Sequence, residues 1–219
     1  MLWMVETPAE GAAERLRSAP PGWELSRLDG VTWTYARGED RVTIVLGRQV
    51  AVEEGLEVLV VGTDGAESGL GLNDVIERWI DEDVLVMLPW GFGKWMGRRA
   101  RLVAGALADY GGRGLRLADT GLRTAWMPVP PLLERARASG YPVFVGSDPF
   151  PFPDRVHSIG SHGFRLDVVE GELAWPQLLA LLRAAGPEDL QRFGTYLGTG
   201  AFLALQGRIQ LRKRLGGAT

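Results

Sequence analysis

A glycine turn carrying a lysine is the part of this chain best built for chemistry. In Val84-Leu-Val-Met-Leu-Pro-Trp-Gly-Phe-Gly-Lys-Trp95 an apolar, β-branched run ends in Pro89 and Trp90 and leads into Gly91-Phe-Gly-Lys94. A segment rich in Ala, Leu and Arg follows and reads as a helix from Met96. Strand, glycine turn, lysine and helix start together form an arrangement that can hold an anion, because backbone N–H groups and a cation converge on one point. It is not a P-loop, which would need glycine at position 88 and a hydroxyl at 95, where this chain has Leu88 and Trp95. Arg98 and Arg99 add positive charge at the helix start, where the helix dipole disfavours cations unless an anion binds. Trp90 and Trp95 could stack on a sugar or base, and their competing role is packing at the core or its rim. The expected ligand-binding set is therefore Trp90, Gly91, Gly93, Lys94, Trp95 and Arg98.

Two carboxylates stand in equivalent places. Asp119 follows the short apolar run Leu115–Leu117, and Ser147-Asp148 follows Val143–Val145. In α/β architectures the loops after strand C-termini build the active face, so Lys94, Asp119 and Asp148 are expected at one mouth. The competing role for such an aspartate is to cap the next helix. Asp119-Thr-Gly121 has the Asp-Thr-Gly of aspartic proteases, but one copy supplies no facing carboxylate, and a turn with Arg123 paired to a nearby acid fits better. Ser147 lacks the G-x-S-x-G spacing of a nucleophile elbow. Of the two histidines, His157 and His162, the second is the better acid–base candidate, set in Gly160-Ser-His-Gly163. The candidate catalytic residues are thus Asp119, Asp148 and His162.

These residues need a frame. Val42–Leu46, Leu56–Val61, Val84–Leu88, Leu115–Leu117, Pro142–Val145 and Phe164–Val169 read as strands. The segments 72–80, 96–110, 131–139, 175–185 and 187–197 read as helices. Repeated β-α units argue for mostly parallel strands with right-handed crossovers, and residues 1–30 read as a preface containing one short helix. The run Pro149-Phe-Pro-Phe-Pro153 is forced into an extended conformation and is expected to wall the mouth. Cations at Arg208–Arg214 suit a helix C-terminus.

Composition sets the outer bounds. A chain of 219 residues, 46% hydrophobic, can bury one sizeable core, so a single α/β domain over 1–219 is expected. A net charge of −3 gives no support for nucleic-acid binding. The absence of cysteine excludes disulfides, thiolate catalysis and cysteine zinc sites. Lys94 and Lys213 are the only lysines, which sets the glycine-turn lysine apart. The first residues lack the basic and apolar regions of a signal peptide, and no segment reaches about 18 apolar residues. A cytoplasmic protein without membrane insertion is the expectation.

The segment Val42-Thr-Ile-Val-Leu-Gly-Arg-Gln-Val-Ala-Val-Glu-Glu-Gly-Leu-Glu-Val-Leu-Val-Val-Gly62 resembles the central part of the polymerase and histidinol phosphatase (PHP) family of metal-dependent phosphoesterases. There a strand ends in Gly-x-Glu and a short turn leads to a second strand. A helix like 72–80 follows, then a strand ending in His-Pro and a late strand ending in Gly-Ser-Asp-x-His, which here is Gly146-Ser-Asp-Pro-Phe150. The similarity covers roughly residues 40–170. It implies a distorted or incomplete (β/α) barrel, related to the TIM barrel, with C-terminal helices over 171–219. It also implies a mouth holding divalent metals on His, Asp and Glu.

The departures from that pattern carry the functional expectation. Position by position, the family's Glu ligand falls on Gln49, the His of His-Pro on Leu88 or Pro89, and the final His on Phe150. Asp148 alone is retained, and the amino-terminal His-x-His has no counterpart. Two histidines cannot build an imidazole-rich metal cluster. The resemblance therefore implies a PHP-like protein that has lost its metal ligands, with no cofactor and at most one hard cation held weakly by carboxylates. The leading expectation is a non-catalytic binding or accessory protein that recognises an anionic small molecule (a phosphate, carboxylate or sugar derivative), a partner protein or another copy of itself. The alternative is a hydrolase or phosphoesterase using Asp119, Asp148 and Lys94 with at most one metal.

Overall fold

Why the sheet forms as it does is clearest at its tight turns. The computed structural model describes residues 1–6, 14, 16–65, 69–148, 152–168, 171 and 173–214. Arg37 pairs with Asp40 across Gly38-Glu39, and Gly38 takes φ +59°, so strands β3 (Thr32–Arg37) and β4 (Asp40–Ala51) close as an antiparallel hairpin. Gly55, at φ +71°, does the same between β4 and β5 (Glu57–Val61). The short polar stretch between these two runs cannot hold a crossover, because parallel neighbours need a dozen or more connecting residues. With β2 (Glu24–Arg27) against β3, and β5 against β6 (Leu85–Trp90), four neighbouring pairs are antiparallel. This corrects the expectation of mostly parallel strands.

The β-α rule holds in the second half. β6, β7 (Arg116–Asp119) and β8 (Val143–Val145) are parallel neighbours joined through α2 (Arg98–Tyr110) and α3 (Pro131–Ala138). Helix α1 (Leu72–Trp79) connects β5 to β6. β1 (Leu2–Glu6) also lies in this sheet, parallel to β4 and paired with Ile44–Arg48, so the first residues are a core strand and not a preface. The structure leaves the short helix expected within 1–30 open, since residues 7–13 and 15 lie outside the described residues. Leu46 donates its N–H to Val31 and accepts from Gly62. Because both backbone groups of a strand residue point to one edge, β3 and β5 meet the same edge of β4 end to end. At that junction a side chain on Gly47 would stand 2.9 Å from the Val60 carbonyl.

The eight-stranded sheet runs β2-β3-β4-β5-β6-β7-β8 with β1 beside β4, and no pairing among the described residues joins its two ends. The expected barrel is therefore an open mixed sheet. Side-chain alternation shows why. Val58, Val60, Val86, Leu88, Leu117 and Val143 pack with α1, α2 and α3 on one face. Val61, Leu85, Met87, Ala118 and Phe144 pack on the other with helix α4 (Trp175–Ala184). That second face, a side-chain-filled lumen in a barrel, is covered here by a helix and by Trp3 and Phe164, each about 5.5 Å from Phe144.

The C-terminal third departs from expectation. Residues 191–194, expected within a helix, form β10 (Gln191–Gly194), antiparallel to β9 (His162–Arg165). Gly194 fits only as glycine, since a Cβ would lie 2.3 Å from the Ser161 carbonyl oxygen. Pairing with β9 overrides the helical pattern. Helix α5 (Thr199–Arg214) is the last described element, its Leu205 and Ile209 packed with Leu122. No helix among the described residues is long and apolar enough to cross a membrane.

Candidate functional site

Parallel register places the ends of β6, β7 and β8 along one edge, with Trp90 opposite Asp119 and Asp119 opposite Val145. Because β5 runs antiparallel to β6, its first residue, Glu57, joins that edge. Two groups of ionisable side chains occupy it.

The first centres on Asp119, which is 0% exposed. Its Oδ1 accepts the Gly121 N–H at 3.2 Å, and its Oδ2 accepts from Arg123 Nε at 3.3 Å and Arg192 Nη2 at 2.6 Å. Gly121 can turn back because it takes φ +68°, and a side chain there would strike the His162 ring. Burial pushes the Asp119 carboxyl up. The Arg192 hydrogen bond, the Arg123 charge and the Gly121 N–H outweigh it and hold Asp119 below the usual carboxylate range. Arg123, 3% exposed, also donates to the Met127 carbonyl at 3.3 Å and to the Tyr196 hydroxyl, and its guanidinium lies 4.0 Å over the Tyr196 ring. Arg123 thus has the acidic partner expected from the sequence.

His162 and Arg137 complete this group. His162 is 7% exposed, its ring 5.2 Å from that of Tyr196. Burial pushes its pKa down, with Asp119 opposing and Arg192 and Arg123 reinforcing the fall, so the imidazole is neutral at pH 7. The Thr195 backbone favours the charged form, but neither ring nitrogen has a hydrogen-bond partner of regular geometry. Arg137, near the end of α3, responds to Arg192, Asp119, Tyr196 and Arg123, and burial is the main cause of its lowered pKa. Its Nη2 is buried and unpartnered. Two arginines therefore share one carboxylate, and a third, Arg137, feels its charge and has an unpartnered Nη2. Unpaired buried polar groups of this kind cost about 1–3 kcal/mol each, a cost that a hydrogen-bonding ligand or water offsets.

The second group is shallower. Lys94 Nζ meets Glu57 Oε2 at 2.5 Å, both side chains partly exposed. The glycine turn closes on itself, with Lys94 N–H donating to the Gly91 carbonyl at 3.0 Å. The helix beyond it begins at Arg98, after Gly97, and not at Met96. Arg98 is exposed. Arg99 reaches the Gly55 and Gly93 carbonyls at 3.4 and 3.1 Å. Trp90 and Trp95 are half-buried against the α1–α3 core, and Gly93 takes φ +75°. Asp148 is the one non-glycine residue with positive φ, +36°, among the described residues. Desolvation and the Glu57 carboxylate push its carboxyl up to about 6, with Lys94 opposing. The residue keeps exposed surface, so water screens the carboxyl, and the upward direction rests on Glu57 as well as on burial.

Among the described residues no three His, Asp or Glu side chains converge. Gln49 sits in the β4–β5 ladder opposite Leu59, Leu88 and Pro89 are buried, and Phe150 with the rest of 149–151 lies outside the described residues. His157 is exposed on a short 3-10 turn. Sequence reasoning missed Arg192, Tyr196 and Arg137. Arg192 and Tyr196 were assigned to a helix, where alternation across β10 would have turned Arg192 toward its partner. Arg137 carried no local signal.

Neither a protein-family model nor a curated protein matches the chain. Among solved structures it is similar to the lesion-specific endonuclease PfuEndoQ from Pyrococcus furiosus, at 14% identity and a TM-score of 0.45. The match covers 77% of this chain and 44% of that one. The chain thus spans less than half of that protein, and a likeness of this degree carries no argument about activity.

Proposed function

We propose that this chain is a PHP-like binding or accessory protein, without the family's metal chemistry, that recognises a small oxyanion, phosphate or carboxylate, at the Asp119 cluster. One observation carries the reading: beside a carboxylate already shared by Arg123 and Arg192, the buried Nη2 of Arg137 has no hydrogen-bond partner and the ring nitrogens of buried His162 have none of regular geometry. An oxyanion accepts from the Arg137 Nη2, in a charge-assisted bond, and from the single N–H of neutral His162. Asp119 pins Arg123 and Arg192 in place, and Arg192, with 29% of its side chain exposed, is the arm through which solvent reaches the cluster. Neutral His162 donates one N–H to a ligand oxygen.

The glycine turn supports the reading less well than the sequence suggests, since an anion there would compete with Glu57 for Lys94. The hydrolase alternative finds Asp119 occupied by two arginines, leaving Asp148 and His162 as its titratable groups. Calorimetric titration with inorganic phosphate, joined to thermal unfolding, tests the proposal. Phosphate at about 100 times its Kd adds about 2.7 kcal/mol to stability. Wild-type protein that gains no stability from phosphate or from simple carboxylates would overturn it.

A further inference from the structure

Trp126 is 67% exposed, and its indole N–H donates to the Thr199 hydroxyl at 3.0 Å, which favours one orientation of the ring. It stands three residues beyond Arg123 and directly before Met127, whose carbonyl accepts from Arg123. Thr199 stands three residues beyond Tyr196, the other partner of Arg123. The two segments are joined by the Thr124–Leu197 bridge and by the Leu197 N–H bonded to the Arg123 carbonyl at 3.2 Å. The pair of segments that carries Arg123 and Tyr196 of the cation cluster therefore also carries a largely exposed indole.

A tryptophan ring biased to one orientation has lost rotamer freedom without removing its surface from water, which folding alone does not reward. A planar or cyclic group laid on that ring removes the exposed surface and meets a platform that is already oriented. Resting on the oxyanion reading above, we infer that the ligand is a ring-bearing phosphate, with its phosphate at Arg192, Arg137 and His162 and its ring stacked on Trp126. A sugar ring and a nucleobase share this chemistry, and the choice of probes separates them.

The test compares inorganic phosphate, ribose phosphate, AMP and adenosine by calorimetry on the wild type, Trp126→Ala, Trp126→Phe and Arg192→Gln. Stacking of a base on an aromatic side chain corresponds to roughly tenfold in affinity or more. AMP is expected to bind at least about tenfold more tightly than inorganic phosphate. Trp126→Ala should lose that excess while phosphate binding stays unchanged, Trp126→Phe should keep most of it, and Arg192→Gln should weaken every phosphate-bearing probe. If ribose phosphate shows the same gain as AMP, the stacked ring is the sugar. If phosphate binds but Trp126→Ala treats AMP, ribose phosphate and phosphate alike, the stacking inference is wrong and the oxyanion reading stands. If no phosphate-bearing probe binds, the ring-phosphate inference falls, and the oxyanion reading falls with it when simple carboxylates also give no stabilisation.

Discussion

The sheet edge carries two charge groups built from similar residues, and they behave oppositely. Asp119 is dry and shared by two arginines, with a third arginine and a neutral histidine close by. Lys94 and Glu57 form one ion pair at a wet surface, with Asp148 beside it. The sequence drew attention to the second group, because glycines and the rare lysine sit within a few residues of one another. Burial shifts the weight to the first. A charge in water exchanges one good environment for another, whereas a charge inside the protein depends wholly on its partners.

The largest expected effect is at Asp119. Asp119→Asn keeps the shape but leaves Arg123 inside the protein without a counter-charge, and removing one partner of a buried pair costs about 3–5 kcal/mol. Urea unfolding should show that loss. The acid limb supplies the sign: Asp119 is depressed in the fold, so its stabilisation is present above the ordinary aspartate value and disappears as pH falls through the lowered one. The variant should lack that part of the acid dependence. A loss below about 1 kcal/mol, the range of exposed pairs, would erase the contrast between the two groups.

Arg192→Gln comes next. A charge-assisted contact contributes roughly 1.5–3 kcal/mol, so phosphate should bind about ten- to a hundredfold more weakly in titration calorimetry. Arg123 still neutralises Asp119 in this variant, so it should stay folded. Unchanged phosphate affinity would place the anion elsewhere.

How much of this could be read in advance follows from what is local. The runs at 84–88 and 142–145 read as strands because they are buried on both faces, and 72–80 shows the spacing of a one-sided helix that α1 confirms to within a residue. Asp119 and Arg123 stand four apart, close enough for their pairing to be inferred. Arg192 lies in a strand whose partner, β9, is distant in sequence, and no local pattern reports such a pairing. The same limit hid β1, whose apolar Leu2–Val5 looked like a preface until paired with Ile44–Gly47. The barrel expectation failed at Gly38 and Gly55, where short turns return the chain antiparallel.

The smallest effects belong to the shallow group and sharpen the contrast from below. Lys94→Ala removes a partly exposed pair and should cost at most about 1 kcal/mol, with phosphate affinity unchanged within about twofold. A tenfold loss of affinity would return the site to the glycine turn. Asp148→Asn tests the same region through pH. Asp148 is raised to about 6, so its stabilising term is complete below the ordinary aspartate range and lost as pH rises through 6. At pH 8 the wild type holds an ionised carboxylate beside Glu57, and the variant does not. The variant should therefore melt higher at pH 8, by no more than about 2 °C because water screens the exposed residue, and should show no advantage near pH 4. A variant that is less stable at pH 8 would mean that the ionised Asp148 is held by a favourable partner, and the shallow group would then resemble the Asp119 cluster.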